Sequence, residues 1–290
     1  MAATAPLHVS SLAALPARGP LAPVCPDDLG SLEVMDSGFL CSHCHRQFPL
    51  LNGIADLTPR ELLDDSSPES IQHCAYRASF SNRPDRAWKQ PLRSIIHKLG
   101  NGYLFSWAAK TIEEFAKGRS LAVLDAGCGD GVLKSRISER HTYVGVDFSA
   151  RLLLRARRHN QGNYFRADLS HLPFSDNSFD VVVCLQAVQY LARPRTALAQ
   201  MARILKREGK LLLTVPNAAS VKYRMEGTPK IQLQHFDRKN IFSLLAENFE
   251  ILRIQTQGVW IPFPMISLHI PGRYSARWGL SWTVIGTPRK

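Results

Sequence analysis

Val123-Leu124-Asp125-Ala126-Gly127-Cys128-Gly129-Asp130-Gly131 is the stretch on which the fold turns. An apolar run that ends in a carboxylate and passes at once into three alternate glycines reads as a buried strand feeding a turn where backbone, not side chain, meets a ligand. A helix is expected to open at these glycines. Working outward, Leu121–Leu124, Tyr143–Val146, Tyr164–Ala167, Val181–Cys184 and Leu211–Val215 are strand-like, and Ala150–His159 and Arg195–Leu205 between them are helical. Such alternation predicts an α/β fold with a doubly wound sheet. Phe249–Thr256 and Leu280–Thr287 read as two further strands. Ahead of the sheet, Pro91–Lys117 is helical, with Leu104, Phe105, Ala108, Ile112 and Phe115 recurring on one face.

The glycine spacing narrows the ligand. A dinucleotide fingerprint spaces its glycines G-x-G-x-x-G to seat a pyrophosphate, whereas this loop is G-x-G-x-G behind a carboxylate. Asp125 poorly suits a pyrophosphate and suits a cationic ligand. Sixteen residues beyond Gly131, the next strand ends in Asp147, placed where a carboxylate can accept from both hydroxyls of a ribose. The third strand ends in Asp168, which can accept from an adenine amino group, with Phe148 and Leu169 as apolar walls for the ring. One such acid alone would read as a helix-capping residue; three, each at a strand's carboxyl end, define a site.

Together with Ser178-Phe-Asp180-Val-Val-Val-Cys184, this series resembles the class I S-adenosylmethionine-dependent methyltransferases, and within them the branch of quinone-biosynthesis enzymes. The resemblance is strong over residues 121–215 and looser to residue 290. It implies a seven-stranded, Rossmann-like sheet whose last strand is antiparallel. By motif position, the loop of Gly127, Gly129 and Gly131 would hold the methionine part of S-adenosylmethionine, Asp147 its ribose and Asp168 its adenine, with Leu185 and Gln186 lining the methyl-donor side. The branch often carries a Glu-His pair after the fourth strand, and Gln189 and Tyr190 stand there instead. Tyr190 and His235, in Gln234-His235-Phe236 ahead of a helix, are the candidate catalytic residues; capping or packing is the alternative for His235. Asn217 is a candidate for orienting an acceptor, or a turn residue.

Residues 258–279 form an aromatic and proline-bearing insert, readable as a lid over a hydrophobic acceptor with peripheral membrane contact, or as ordinary sheet cover. Arg151, Arg155 and Arg158 share a helix face that would suit RNA or simply water. At the other end, residues 24–57 have the texture of a small β-ribbon. Cys41-x-x-Cys44 with upstream Cys25 resembles the zinc ribbons found as methyltransferase activators or fused to methyltransferases. The usual knuckle spacing puts the fourth ligand of a structural zinc at Asp28; His43 or His45 is the alternative, and so is a ribbon without metal.

The 290 residues, 45% hydrophobic and 21% charged, are enough for one large core plus a small module and exclude a fibre or a disordered chain. No apolar run reaches the roughly 18–20 residues that span a bilayer. Residues 1–23 read as a flexible leader without a secretory signal, residues 58–90 as a linker and residues 91–290 as the methyltransferase domain. Six cysteines without a signal fit a reducing, cytoplasmic setting. The net charge of +12 is uneven: the first 80 residues carry four basic and nine acidic side chains, leaving a strongly basic body suited to anionic partners. Three functions follow as expectations: a methyltransferase for a small or lipid-like acceptor, an RNA methyltransferase, or a cofactor-binding subunit acting through protein contacts. Oligomeric state is not legible.

Overall fold

The computed structural model describes residues 21–62, 91–227, 232–261, 266–268 and 277–289. Most of the leader and the linker, and the middle of the insert, lie outside the described residues. The strands in chain order are β1 (Leu32–Met35), β2 (Gly38–Cys41), β3 (Gln47–Leu51), β4 (Ile54–Asp56), β5 (Ala122–Ala126), β6 (Thr142–Asp147), β7 (Asn163–Arg166), β8 (Phe179–Leu185), β9 (Leu205–Pro216), β10 (Phe249–Ile261), β11 (Ile266–Leu268) and β12 (Gly279–Pro288). The helices are α1 (Pro91–Ala116), α2 (Ala150–His159), α3 (Pro194–Ile204), α4 (Val221–Glu226) and α5 (Arg238–Leu245).

All the strands join one sheet, ordered β1-β2-β3-β4-β7-β6-β5-β8-β9-β12-β10-β11. Its central seven, β7-β6-β5-β8-β9-β12-β10, are the doubly wound unit, with β12 antiparallel to both β9 and β10. β8 is an unbroken apolar run, Val181-Val-Val-Cys184-Leu185 all buried, because both faces of a parallel sheet are covered. On one face lie Ala108 and Ile112 of α1 with Leu153 and Ala156 of α2. On the other lie Leu198 and Met201 of α3 and Ile241 and Leu245 of α5. The order reverses between β5 and β8, so the cleft beyond their carboxyl ends is where a ligand is expected.

Two features differ from the sequence reading. No α-helix follows the glycines: residues 131–141 wind as turns with a short 3-10 segment at Lys134–Arg136, and Ile137 is already extended (φ −94°, ψ 154°). Secondly, the ribbon extends the sheet: β4 pairs in parallel with β7, and Phe39, Phe48 and Leu57 share a core with Phe165, Phe174 and Phe179. Phe174 packs edge-on against both Phe165 and Phe179. A ribbon this small buries too little surface to stand alone, and the sheet edge supplies the rest. No helix among the described residues is long and apolar enough to cross a membrane.

Candidate functional site

The glycine loop is left-handed at three positions, Gly127 (φ 82°), Gly129 (φ 56°) and Gly131 (φ 74°). A Cβ on Gly127 would stand 2.6 Å from the Ala187 Cβ, and one on Gly131 would stand 2.8 Å from the Tyr164 hydroxyl and 2.9 Å from the Ala156 Cβ. At Gly129 it would meet nothing within 4 Å. Gly127 and Gly131 are therefore packing glycines, and Gly129 faces open space. The Gly127 and Cys128 amides donate to the Val146 carbonyl, the Gly129 amide to Asp147 Oδ2 (2.9 Å) and the Gly131 amide to the Cys128 carbonyl. These four amides bond within the protein, so the loop offers a ligand shape and room in place of the helix N-terminus expected from the sequence.

The three acids converge at the same end of the sheet. Asp125 is buried and accepts from the Tyr143 hydroxyl at 2.9 Å. Burial, with the charge of Asp147 adding to it, pushes the Asp125 carboxyl up to about 7 against that hydrogen bond. Asp147 accepts from the Gly129 amide through one oxygen and from the Ser149 amide (2.8 Å) through the other, which fixes the plane of its carboxylate. Asp168 accepts from the Ser170 amide (2.7 Å) and from the Ser170 hydroxyl. Phe148 follows Asp147 with its ring under the Arg166 guanidinium, and Leu169 is buried beside Gly127. Arg166 escapes a sequence reading because its partners come from distant segments.

Beyond β8 the side chains are neutral and polar. Leu185 is buried, and Gln186 is held at φ 55°, a left-handed conformation costly for a residue with a Cβ. Its amide N–H donates to the Thr214 carbonyl (2.9 Å), and its side-chain Nε2 reaches Thr214 Oγ1 and Ser281 Oγ, both at 3.3 Å. Gln189, 1% exposed, donates through Nε2 to the Gln186 carbonyl (2.9 Å), while its Oε1 is buried without a partner. Tyr190 is half-buried in the following 3-10 turn, close enough to Tyr223 of α4 to influence its ionisation; burial first, then Tyr190, pushes the Tyr223 phenol up. His235 is exposed, and its carbonyl accepts from Asn240 Nδ2; the cap of α5 is Asp237. Asn217 is fully buried as a turn residue, donating to the Gly279 carbonyl (2.7 Å) and accepting from the Ala219 amide. Arg151, Arg155 and Arg158 are exposed on α2.

At the ribbon, ligand atoms of Cys25, Asp28, Cys41 and Cys44 lie within 4.8 Å of one another. Cys25 and Cys44 Sγ are 3.8 Å apart, close to the tetrahedral edge of about 3.8 Å that a zinc–sulfur bond of about 2.3 Å gives. Two matching turns build the cluster. Leu29 (φ 60°) follows Asp28 and donates to the Cys25 carbonyl, and His45 (φ 57°) follows Cys44 and donates to the Cys41 carbonyl. His43 and Cys44 amides point at Cys41 Sγ, both at 3.4 Å, as amides do toward a thiolate. Gly30 is required: a Cβ there would stand 2.9 Å from Cys41 Sγ. His43 Nδ1 meets Asp28 Oδ2 at 2.9 Å, an outer-shell position supporting the carboxylate. The donor set fits zinc, with Asp28 offering an oxygen beside the three sulfurs. Among the described residues no cysteine forms a disulfide.

The sheet order is that of the Rossmann-like fold of S-adenosylmethionine-dependent methyltransferases. Residues 124–213 match the family model described as a methyltransferase domain. The chain is 33% identical over 160 residues to a malonyl-[acyl-carrier protein] O-methyltransferase of Erwinia pyrifoliae, covering 54% of this chain and 57% of that protein. It is 31% identical over 151 residues to a demethylmenaquinone methyltransferase of Corynebacterium urealyticum, covering 49% and 65%. The chain thus spans less than two thirds of the length of either relative. A crystal structure of magnesium protoporphyrin IX methyltransferase from Synechocystis PCC 6803 with bound SAH shares the fold at a TM-score of 0.56 and 15% identity, covering 75% of this chain and 98% of that one.

Proposed function

We propose that this chain is an enzyme that transfers the methyl group of S-adenosylmethionine to a small or lipid-like acceptor. The observation that carries the reading is the meeting of Asp125, Asp147 and Asp168 around a glycine loop that opens at Gly129. The residues at this end of the sheet fit the cofactor in their chemistry. Gly127, Gly129 and Gly131 shape the methionine end. Asp147, its plane set by two backbone amides, accepts from the ribose hydroxyls, and Asp168 accepts from the adenine amino group between Phe148 and Leu169. Buried Asp125, its carboxyl pushed up to about 7, lies at the cationic end of the ligand, where a bound sulfonium would favour its ionised form.

When bound, S-adenosylmethionine supplies an electrophilic sulfonium methyl, and in-line displacement then asks mainly for position. Leu185 and Gln186 line the methyl-donor side, and the strained backbone at Gln186 fixes where the acceptor approaches. Tyr190 orients it, a phenol that can hold a hydroxyl or carboxyl, while buried Gln189 braces the Gln186 carbonyl behind it. Of the two catalytic candidates the geometry favours Tyr190, which adjoins this wall, over exposed His235. Names among the relatives, malonyl-[acyl-carrier protein], demethylmenaquinone and magnesium protoporphyrin IX methyltransferases, support a small or lipid-like acceptor. The ribbon's three thiolates and Asp28 would hold a structural zinc, which ties its two turns together and leaves no open position for chemistry.

Calorimetric titration with S-adenosylmethionine and S-adenosylhomocysteine tests the reading. Binding in the micromolar range is expected, followed by methyl transfer in a screen of lipidic phenols and carboxylic acids. Failure to bind either ligand overturns it.

A further inference from the structure

Asp56, the last residue of β4, lies opposite Arg166 of β7 in the parallel register. Their side chains meet at 2.5 Å, only 13% and 16% exposed. Asp56 is itself braced, accepting through its other oxygen from the Thr58 amide (3.2 Å) and hydroxyl (2.6 Å). Arg166 also reaches the opposite way: its Nε donates to the Phe148 carbonyl (3.1 Å), and its guanidinium carbon lies 4.8 Å from the centroid of the Phe148 ring. A guanidinium is planar, so a carboxylate that fixes its plane also fixes how it lies on an aromatic face.

We infer that Asp56 is a positioning residue for the cofactor: acting through Arg166, the ribbon holds the Phe148 ring in the orientation that walls the adenine. The inference rests on the cofactor reading above and adds a role for the ribbon within it. The chain of contacts is short and shielded. Asp56 sets the guanidinium, the guanidinium covers the outer face of Phe148 and holds its carbonyl, and Phe148 adjoins Asp147. Without Asp56 the half-buried guanidinium turns toward water, the ring loses its stacked partner, and the wall must be ordered again each time the ligand binds. A second strap reinforces the arrangement, since Arg157 Nη1 of α2 donates to the Asn52 carbonyl at the β3–β4 turn (2.8 Å).

The experiment is a double-mutant cycle read by S-adenosylhomocysteine affinity, with thermal melts confirming that each variant is folded. D56N is expected to weaken binding about 5- to 10-fold. Phe148→Leu removes the ring, and in that background D56N should change affinity less than 2-fold, because the residue through which Asp56 acts is gone. R166K keeps an ion pair with Asp56 but has no plane to lay on the ring; it should bind as weakly as D56N, whereas a purely structural pair would tolerate Lys. Wild-type affinity in D56N, or an equal loss with and without the Phe148 ring, overturns the inference alone. A wild-type protein that binds neither cofactor form overturns it together with the cofactor reading.

Discussion

The Tyr143 hydroxyl donates to Asp125 Oδ2 at 2.9 Å in the interior, and among the described residues this is the one side-chain hydrogen bond to a carboxyl that burial otherwise desolvates. The consequence is a folded Asp125 that keeps its proton up to about pH 7, while in the unfolded chain it ionises near the ordinary value of about 4. Between those pH values the folded state holds the extra proton, so this group's contribution to stability is greatest at acid pH and declines as pH rises to about 7. Asp125→Asn retains an acceptor for Tyr143 and cannot ionise. Denaturant melts at pH 5 and pH 8 should show the variant losing less stability with pH, by at most about 3 kcal/mol. Identical pH profiles would mean that Asp125 is ionised in the fold throughout.

Asp147→Ala removes the proposed ribose acceptor and the partner of the Gly129 and Ser149 amides. S-adenosylmethionine binding should weaken by about 1.5 to 3 kcal/mol, the worth of charge-assisted hydrogen bonds. Affinity equal to wild type in a folded variant would remove Asp147 from the site.

The two kinds of glycine in the loop can be separated. Gly127→Ala puts a methyl 2.6 Å from the Ala187 Cβ at a left-handed φ, and should cost about 1–3 kcal/mol of stability. Gly129→Ala meets no atom, so its stability loss should be smaller and its loss of cofactor affinity larger. Thermal melts and titrations on the pair decide this; a reversed ranking would place the ligand elsewhere.

Elemental analysis of purified protein should find about one zinc per chain, and Cys44→Ser should lower that content and the melting temperature together. Because the ribbon shares Phe39 and Phe48 with the main core, chelation should destabilise the whole chain in one transition. A metal-free protein with an unchanged melt would show a ribbon held by packing alone.

What the sequence discloses and what it hides follow from how local each cause is. Asp147 and Asp168 are legible because a carboxylate at the end of an apolar run is a local pattern. The helix expected after Gly131 is replaced by turns and a short 3-10 segment, and no local pattern in the sequence announces the change. Arg166 is invisible as a site residue because Asp56 lies 110 positions away and meets it only through the β4–β7 pairing. The left-handed Gln186 gives no signal either, since nothing in Leu185-Gln-Ala-Val marks a strained backbone.

The parallel pairing of β4 with β7 also determines how this molecule meets others. In a bare seven-stranded sheet, β7 would present a free row of amides and carbonyls beside the cofactor cleft, open to an extra strand from another chain. Here the chain fills that berth itself, and among the described strands the outermost positions pass to β1 and β11. A partner that docks by strand addition would therefore have to approach at those distant rims, and could displace the cleft's neighbour only by first peeling away the ribbon.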